Sequence, residues 1–197
     1  MKLRDKYLNY LFNHISCSVL PEPGKIVIDG RVNDVWNHPH VIIFREFIIN
    51  NYKPRHDIVL LVPCTPRKPY SITHFRRILY HNLKKHGLWD KIEIISISDL
   101  MGLVPRDLEE LYPVANYEYS PQLMKKYGHE KDLIELLSIE FSLLHGEQVY
   151  AWLPRSYIPF VEEASKRAKL NIIIHPYTRL PYQLAARIPL LLKSIIS

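Results

Sequence analysis

The chain has 197 residues, 47% of them hydrophobic and 23% charged, with a net charge of +6. That is the scale of one domain with a real core, and the composition excludes a disordered chain. No apolar run reaches transmembrane length and the charged, tyrosine-rich segment 1–10 is no secretory signal, so a cytoplasmic protein without a membrane partner is expected.

Leu3, Tyr7, Leu8, Leu11, Phe12 and Ile15 recur at helical spacing and predict an opening amphipathic helix, broken between Pro21 and Gly24. Ile26 to Ile28 reads as a short extended piece that ends at the turn pair Asp29-Gly30. Pro39 starts an apolar helix through Val41, Ile42, Phe44, Phe47 and Ile48. Ile58 to Val62 is the first main strand, stopped by Pro63. About eight polar or backbone-restricted residues follow. Ser71 is then the expected N-cap of a helix carrying Ile72, Phe75, Ile78, Leu79 and Leu83, with Gly87 past its end.

Ile92, Ile94, Ile95 and Ile97 form the second main strand, near-continuously apolar as in a sheet covered on both faces. Residues 98–120 are irregular and rich in Pro and Tyr, with a short helix expected at Pro105; so long a stretch is either functional or folded over the core. Tyr112, Tyr117 and Tyr119 either stack on bases or pave the core edge, and packing is the commoner use. Leu133, Leu136, Leu137, Ile139, Phe141 and Leu144 build a helix that ends near Gly146. Val149 to Leu153 is the third main strand, closed by Pro154. Val161, Ala164, Ala168 and Leu170 mark the next helix. Leu170 to Ile174 is the fourth strand, followed by His175-Pro176-Tyr177-Thr178-Arg179 and a C-terminal amphipathic helix through Leu184, Ile188, Leu191, Leu192 and Ile195. With no repeat or linker, the alternation predicts one α/β domain over 1–197, a three-layer α/β/α sandwich with about four parallel strands.

In such sheets ligands bind at the carboxyl ends of the strands. The loop after the first main strand carries a thiol (Cys64), two cations (Arg67, Lys68), an aromatic (Tyr70) and the hydroxyls of Thr65, Ser71 and Thr73. Pro63, Pro66 and Pro69 fix φ and stiffen it. The plainer alternative is an ordinary proline-rich connection. Arg67, Lys68, Arg76, Arg77, Lys84 and Lys85 follow one strand in quick succession, a clustering that suits a polyanion; for Lys84 and Lys85 a solvated helix face is the competing reading. Loops after the first and fourth strands share one edge, so Cys64–Tyr70 and His175–Arg179 are expected to converge. Cys17 and Cys64 are the only cysteines. They have no CxxC or metal-type spacing, so no disulfide, metal or other cofactor is expected.

Pro63-Cys64, three residues, Lys68-Pro69-Tyr70, two residues, then Thr73 resembles the signature of the archaeosine synthase α-subunit family, PC-x3-KPY-x2-S-x2-H. The chain departs from it at Thr73, where the family has Ser, and at Arg76, where it has His; His74 lies close by. KPY and HPY also stand where the uracil-DNA glycosylase fold has its DPY-like and HPS-like motifs, which implies a similar fold. Lys68 replaces the carboxylate that positions or activates water there, so a glycosylase is not expected, while a nucleobase pocket stays open as an alternative.

The archaeosine synthase resemblance implies attachment of free lysine to the nitrile of 7-cyano-7-deazaguanine in the D-loop of tRNA. The product is an amidine that a radical-SAM partner completes. In this setting Cys64 is the candidate nucleophile, its pKa lowered by Arg67, Lys68 and a helix N-terminus, or else a small apolar residue at a strand end. His74 and His175 are candidate proton carriers or structural hydrogen-bonding groups. Lys68 reads as a phosphate or substrate-anion contact, with Tyr70 packing or stacking beside it and Thr73 at the signature hydroxyl. Arg67, Arg76, Arg77, Lys84, Lys85 and Arg179 are the candidate tRNA contacts. Full-length members also carry a transglycosylase-like core and a PUA-type domain that do not fit in this chain. A separately encoded subunit, or a stand-alone relative, is therefore expected. The alternative is a non-catalytic tRNA- or nucleic-acid-binding module, or a subunit of a modification complex.

Overall fold

The structure, a computed structural model, describes residues 2–16, 19–177 and 181–196. Its elements are α1 (Leu3–His14), β1 (Ile28–Asp29), α2 (Pro39–Asn51), β2 (Ile58–Pro63), α3 (His74–Lys85), β3 (Glu93–Ser98), β4 (Gly102–Pro105), β5 (Tyr117–Glu118), α4 (Pro121–Tyr127), α5 (Glu130–Phe141), β6 (Gln148–Pro154), α6 (Ile158–Ala168), β7 (Ile172–Tyr177) and α7 (Pro181–Ile196). The main sheet has the order β4-β3-β2-β6-β7. β3, β2, β6 and β7 run parallel, and β4 is antiparallel to β3.

Five strands thus replace the expected four. The extra one, β4, lies in the stretch expected to be irregular. Gly102 holds φ at +71°, and a Cβ there would meet the Glu140 carboxylate, so only glycine lets the chain reverse so tightly after β3. The same stretch supplies β5, which pairs in parallel with β1. Tyr112, Tyr117 and Tyr119 are all buried, the packing alternative for these three rings. Pro105 precedes a short 3-10 turn, Arg106–Leu108.

The apolar runs are continuous because both faces of the sheet are covered. Leu60 and Val62 of β2 join Ile94, Trp152 and the α3 and α7 residues Leu79, Leu83, Ile188 and Leu192 in one core cluster. Val59 and Leu61 join Ile95, Ile97, Ala151 and the inner residues of α1, α2, α5 and α6 in another. Truncating one such side chain, for example Leu61→Ala, costs about 2–5 kcal/mol.

Local signals set the helix starts. Pro39 occupies the first turn of α2, and the His38 side chain accepts a hydrogen bond from the His40 N–H. Ser120 caps α4, which ends on Gly128 at φ 80°. α3 differs from expectation. Ser71 sits in a 3-10 turn, Tyr70–Ile72, and Thr73 is the N-cap without a capping side-chain bond. The Thr73 hydroxyl instead donates to the Tyr70 carbonyl at 2.8 Å, and that of Ser71 to the Glu110 carboxylate. Cys17 and Arg179 lie outside the described residues.

Candidate active site

Three parallel strands deliver one side chain each to the same edge. Cys64 follows β2, and its N–H bonds the Ile97 carbonyl at 2.8 Å, carrying the β2–β3 ladder past Pro63. Asp99 directly follows β3, and Tyr157 follows β6 just before α6. The Tyr157 hydroxyl donates to Asp99 Oδ2 at 2.8 Å, and Cys64 Sγ lies 3.5 Å from that hydroxyl and 3.9 Å from Asp99 Oδ2. Asp99 and Tyr157 are buried. Cys64 is half-buried and opens on a pocket of about 620 Å³, lined also by Thr65, Arg67, Thr73, His74 and Arg77.

The electrostatics oppose a preformed thiolate. Burial, and then the Asp99 carboxylate, push the Cys64 thiol up, and Lys68 only partly offsets them. Burial pushes Asp99 up to about 6 against the pull of its Tyr157 hydrogen bond and of Lys68. The expected lowering of the Cys64 pKa is therefore reversed. Arg67 is exposed, and burial with the Asp99 carboxylate outweighs the one cation that pulls the thiol down, Lys68.

The KPY motif faces inward. Lys68 is only 9% exposed; its ammonium donates to the Thr65 carbonyl at 2.6 Å and lies 4.3 Å from the centre of the Tyr117 ring. Burial lowers its pKa. This corrects the expectation of a phosphate contact: Lys68 ties the loop to itself and holds a positive charge beside Cys64 and Asp99. Tyr70 is fully buried, and its hydroxyl meets Tyr117 Oη at 2.8 Å, which in turn meets Ser98 Oγ at 2.7 Å. It packs and does not present its ring to a base.

Arg76, expected to touch RNA, is fully buried. It shares the core-facing spacing of Leu79 and Leu83 on α3. One Nη donates to the Pro63 carbonyl at 2.9 Å and to Ser96 Oγ, and lies 3.5 Å from Glu109 Oε1. Ser96 and Tyr80 both donate to the same Glu109 carboxylate. Nε and the other Nη find no hydrogen-bond partner among the described residues. Arg76 thus braces the end of β2 immediately before Cys64.

Residues 41–181 match the family model described as Domain of unknown function (DUF5591). The chain belongs to this family. It is 30% identical to archaeosine synthase subunit alpha of Thermoplasma acidophilum over 149 residues, 75% of this chain and 28% of that one. It is 35% identical to the same subunit of Methanosarcina acetivorans over 79 residues, 40% and 12% of the two chains. Archaeosine synthase of Methanocaldococcus jannaschii is 31% identical over 99 residues, 50% and 16%. The likeness to archaeosine synthase read from PC-x3-KPY therefore extends well beyond the motif, although the chain spans less than a third of the length of the curated relatives it matches. The crystal structure of AF0587, a protein of unknown function, aligns with a TM-score of 0.48 and 20% identity over 73% of this chain and 48% of that one.

On this DUF5591 domain the remaining expected residues fall into two groups. Arg67, His74, Arg77, Lys84 and Lys85 are exposed. His74, Arg77, His81 and Lys84 share one face of α3 and line a second recess of about 660 Å³ that meets the first at His74 and Arg77. Lys84 also lies 4.5 Å from the Trp89 ring. His175 is not brought to Cys64. It pairs in register with Trp152 and stacks on that ring at 4.4 Å, on the α3–α7 side of the sheet, whereas Cys64 packs on the other side. β6 separates β2 from β7, a distance of about 10 Å between their backbones.

Asp99 and Tyr157 were missed from sequence. Asp99 had a signal, since it holds the position after the second main strand that Cys64 holds after the first; Tyr157 had none. Among the described residues no group of three or more His, Cys, Asp or Glu could hold a metal ion, and no helix is long and apolar enough to cross a membrane.

Proposed function

We propose that this domain serves archaeosine-type tRNA modification in the cytoplasm, adding lysine to the nitrile of 7-cyano-7-deazaguanine in tRNA with Cys64 as nucleophile. The supporting observation is a half-buried thiol at the wall of a pocket of about 620 Å³, roomy enough to admit a nucleobase, in a chain similar to archaeosine synthases. The Cys64 sulfur adds to the nitrile carbon, and the nitrogen takes up a proton to give a thioimidate. The lysine amine then adds to the same carbon, the carbon–sulfur bond breaks, and amidine and free thiol result. His74 at the pocket rim is placed to move protons between these steps. A three-layer sandwich of the uracil-DNA glycosylase type fits the four parallel strands and the helices on both sheet faces. A transglycosylase-like core and a radical-SAM enzyme are the proposed partners.

The test is incubation with free lysine and nitrile-bearing tRNA, with and without those partners, followed by mass spectrometry of nucleosides. A lysine adduct that Cys64→Ser abolishes is expected. Its absence in every combination overturns catalysis.

A second reading is a non-catalytic RNA-binding module. It is favoured by the raised thiol, by Arg76 in place of the signature His, and by the exposed cations of α3. It predicts tRNA binding that weakens steeply with salt and no lysine adduct.

A further inference from the structure

We propose that Tyr157 and Asp99 form a proton relay for Cys64, in which Asp99 takes the thiol hydrogen through the Tyr157 hydroxyl as sulfur attacks an electrophile in the pocket. The proposal rests on the reading of Cys64 as a nucleophile. It names two residues that lie outside the PC-x3-KPY signature.

Hydrogen-bond direction carries the inference. Tyr157 has one hydroxyl hydrogen, and at 2.8 Å it is given to Asp99 Oδ2. The phenol oxygen is then an acceptor for Cys64, whose Sγ lies 3.5 Å away, so the order is S–H to O–H to carboxylate. The direct path from sulfur to Asp99 is longer, 3.9 Å. A buried carboxylate needs a reason to be where it is, because desolvation costs several kcal/mol unless the group is paired. Asp99 makes no ion pair within bonding distance among the described residues. Its recorded side-chain partners are Tyr157 and Cys64.

The raised thiol fits this scheme better than a standing thiolate does. A protonated Cys64 needs a base at the moment of attack, and an ionised Asp99 supplies one. In the step, the sulfur–carbon bond forms and one pair of the C≡N bond moves to nitrogen. The thiol proton passes to Tyr157 as the Tyr157 proton passes to Asp99. The nitrogen then takes a proton from solvent and Asp99 releases its own to solvent, so the net change is addition of S–H across the triple bond. The other titratable groups that face the pair are Lys68, Tyr70, Arg76, Tyr117 and Tyr119, and Arg67, His74 and Arg77 line the pocket on which Cys64 opens, so the variants at Asp99 and Tyr157 are what assign the limb to the relay. The three tyrosines and Arg76 are raised, so they keep one charge state from about pH 5 to 9.

The experiment follows Cys64 by peptide mass mapping after timed labelling with iodoacetamide and, separately, with the free heteroaryl nitrile 2-cyanopyrimidine, across pH. Wild type is expected to show a rate limb with a midpoint near 6, where Asp99 ionises. Asp99→Asn and Tyr157→Phe should lose that limb and slow labelling at pH 7 about 10- to 100-fold, while Asp99→Glu restores part of it. Folded variants that label at the wild-type rate with the wild-type profile overturn the relay and leave the nucleophile reading standing. If the variants do not fold, a wild-type profile without a limb near 6 overturns it equally. A wild-type Cys64 inert to both probes overturns the nucleophile reading, and the relay with it.

Discussion

Arg67 and Lys68 are neighbours in sequence, as are Arg76 and Arg77, yet each pair is split between interior and solvent. Lys68 and Arg76 are 9% and 0% exposed, while Arg67 and Arg77 stand on the surface. The inner two make short bonds to backbone carbonyls of the Cys64 loop and of β2. The outer two line the pocket mouth, and Arg77 continues into the stripe along α3. One run of positive charge is therefore divided between core and surface. The inner cations build the site and set its electrostatics, and the outer ones stand in solvent, where the proposed tRNA contact would need them.

The sharpest way to break this contrast is to remove one cation from each side. Arg76→Ala should cost about 3–5 kcal/mol, because it strands the Glu109 carboxylate in the core. Arg77→Ala should stay within about 0.5 kcal/mol. Urea unfolding of the two variants decides, and similar midpoints would erase the distinction.

The next largest effect is a pH dependence carried by the interior. Asp99 is raised from 3.8 to about 6 in the folded state. Between those values the folded protein holds a proton that the unfolded chain has lost, so stability falls as pH rises through this window and then levels off. The loss is about 3 kcal/mol from this group. Asp99→Asn removes that slope, and the variant should gain on wild type from pH 4 to 6 and hold the gain above it, as read by denaturation at stepped pH. A pH-independent difference would show that Asp99 is not held up by burial.

Lys68→Met should sharpen the contrast at the site itself. Lys68 pulls down the pKa of both Cys64 and Asp99, so its loss moves both upward and slows Cys64 alkylation at pH 7. Arg67→Met should leave the rate unchanged. The smallest effect on the fold belongs to the exposed cations of α3. The combined change Arg77→Gln, Lys84→Gln, Lys85→Gln should lower the salt slope of tRNA binding by about 2, at about 0.7 per phosphate contact on a single strand, without changing the unfolding midpoint. Fluorescence anisotropy over a salt series measures it, and an unchanged slope would place RNA elsewhere.

Much of the fold is legible without coordinates. β2, β3, β6 and β7 were all expected from apolar runs, because a strand covered on both faces needs little but apolar residues. β4 was not, since the four residues Gly102–Pro105 are too short to show a period. β1 and β5, two residues each, show none at all. The start of α3 was misread because Ser71 has the chemistry of an N-cap, while the 3-10 turn ahead of the helix moves that position to Thr73.

By itself the sequence determined the loop that carries Cys64, the edge of the sheet on which it lies, and the archaeosine synthase likeness. Those follow from residue types at fixed short spacing, which chain geometry converts directly into strand, loop and helix. Only the tertiary structure decided what surrounds the thiol. Asp99 and Tyr157 lie 35 and 93 positions from Cys64 along the chain, and strand order alone makes them neighbours. It also decided the sign of the thiol's pKa shift. Counting nearby cations points downward, but burial and a partner carboxylate push upward, and neither can be read from the residues adjoining Cys64.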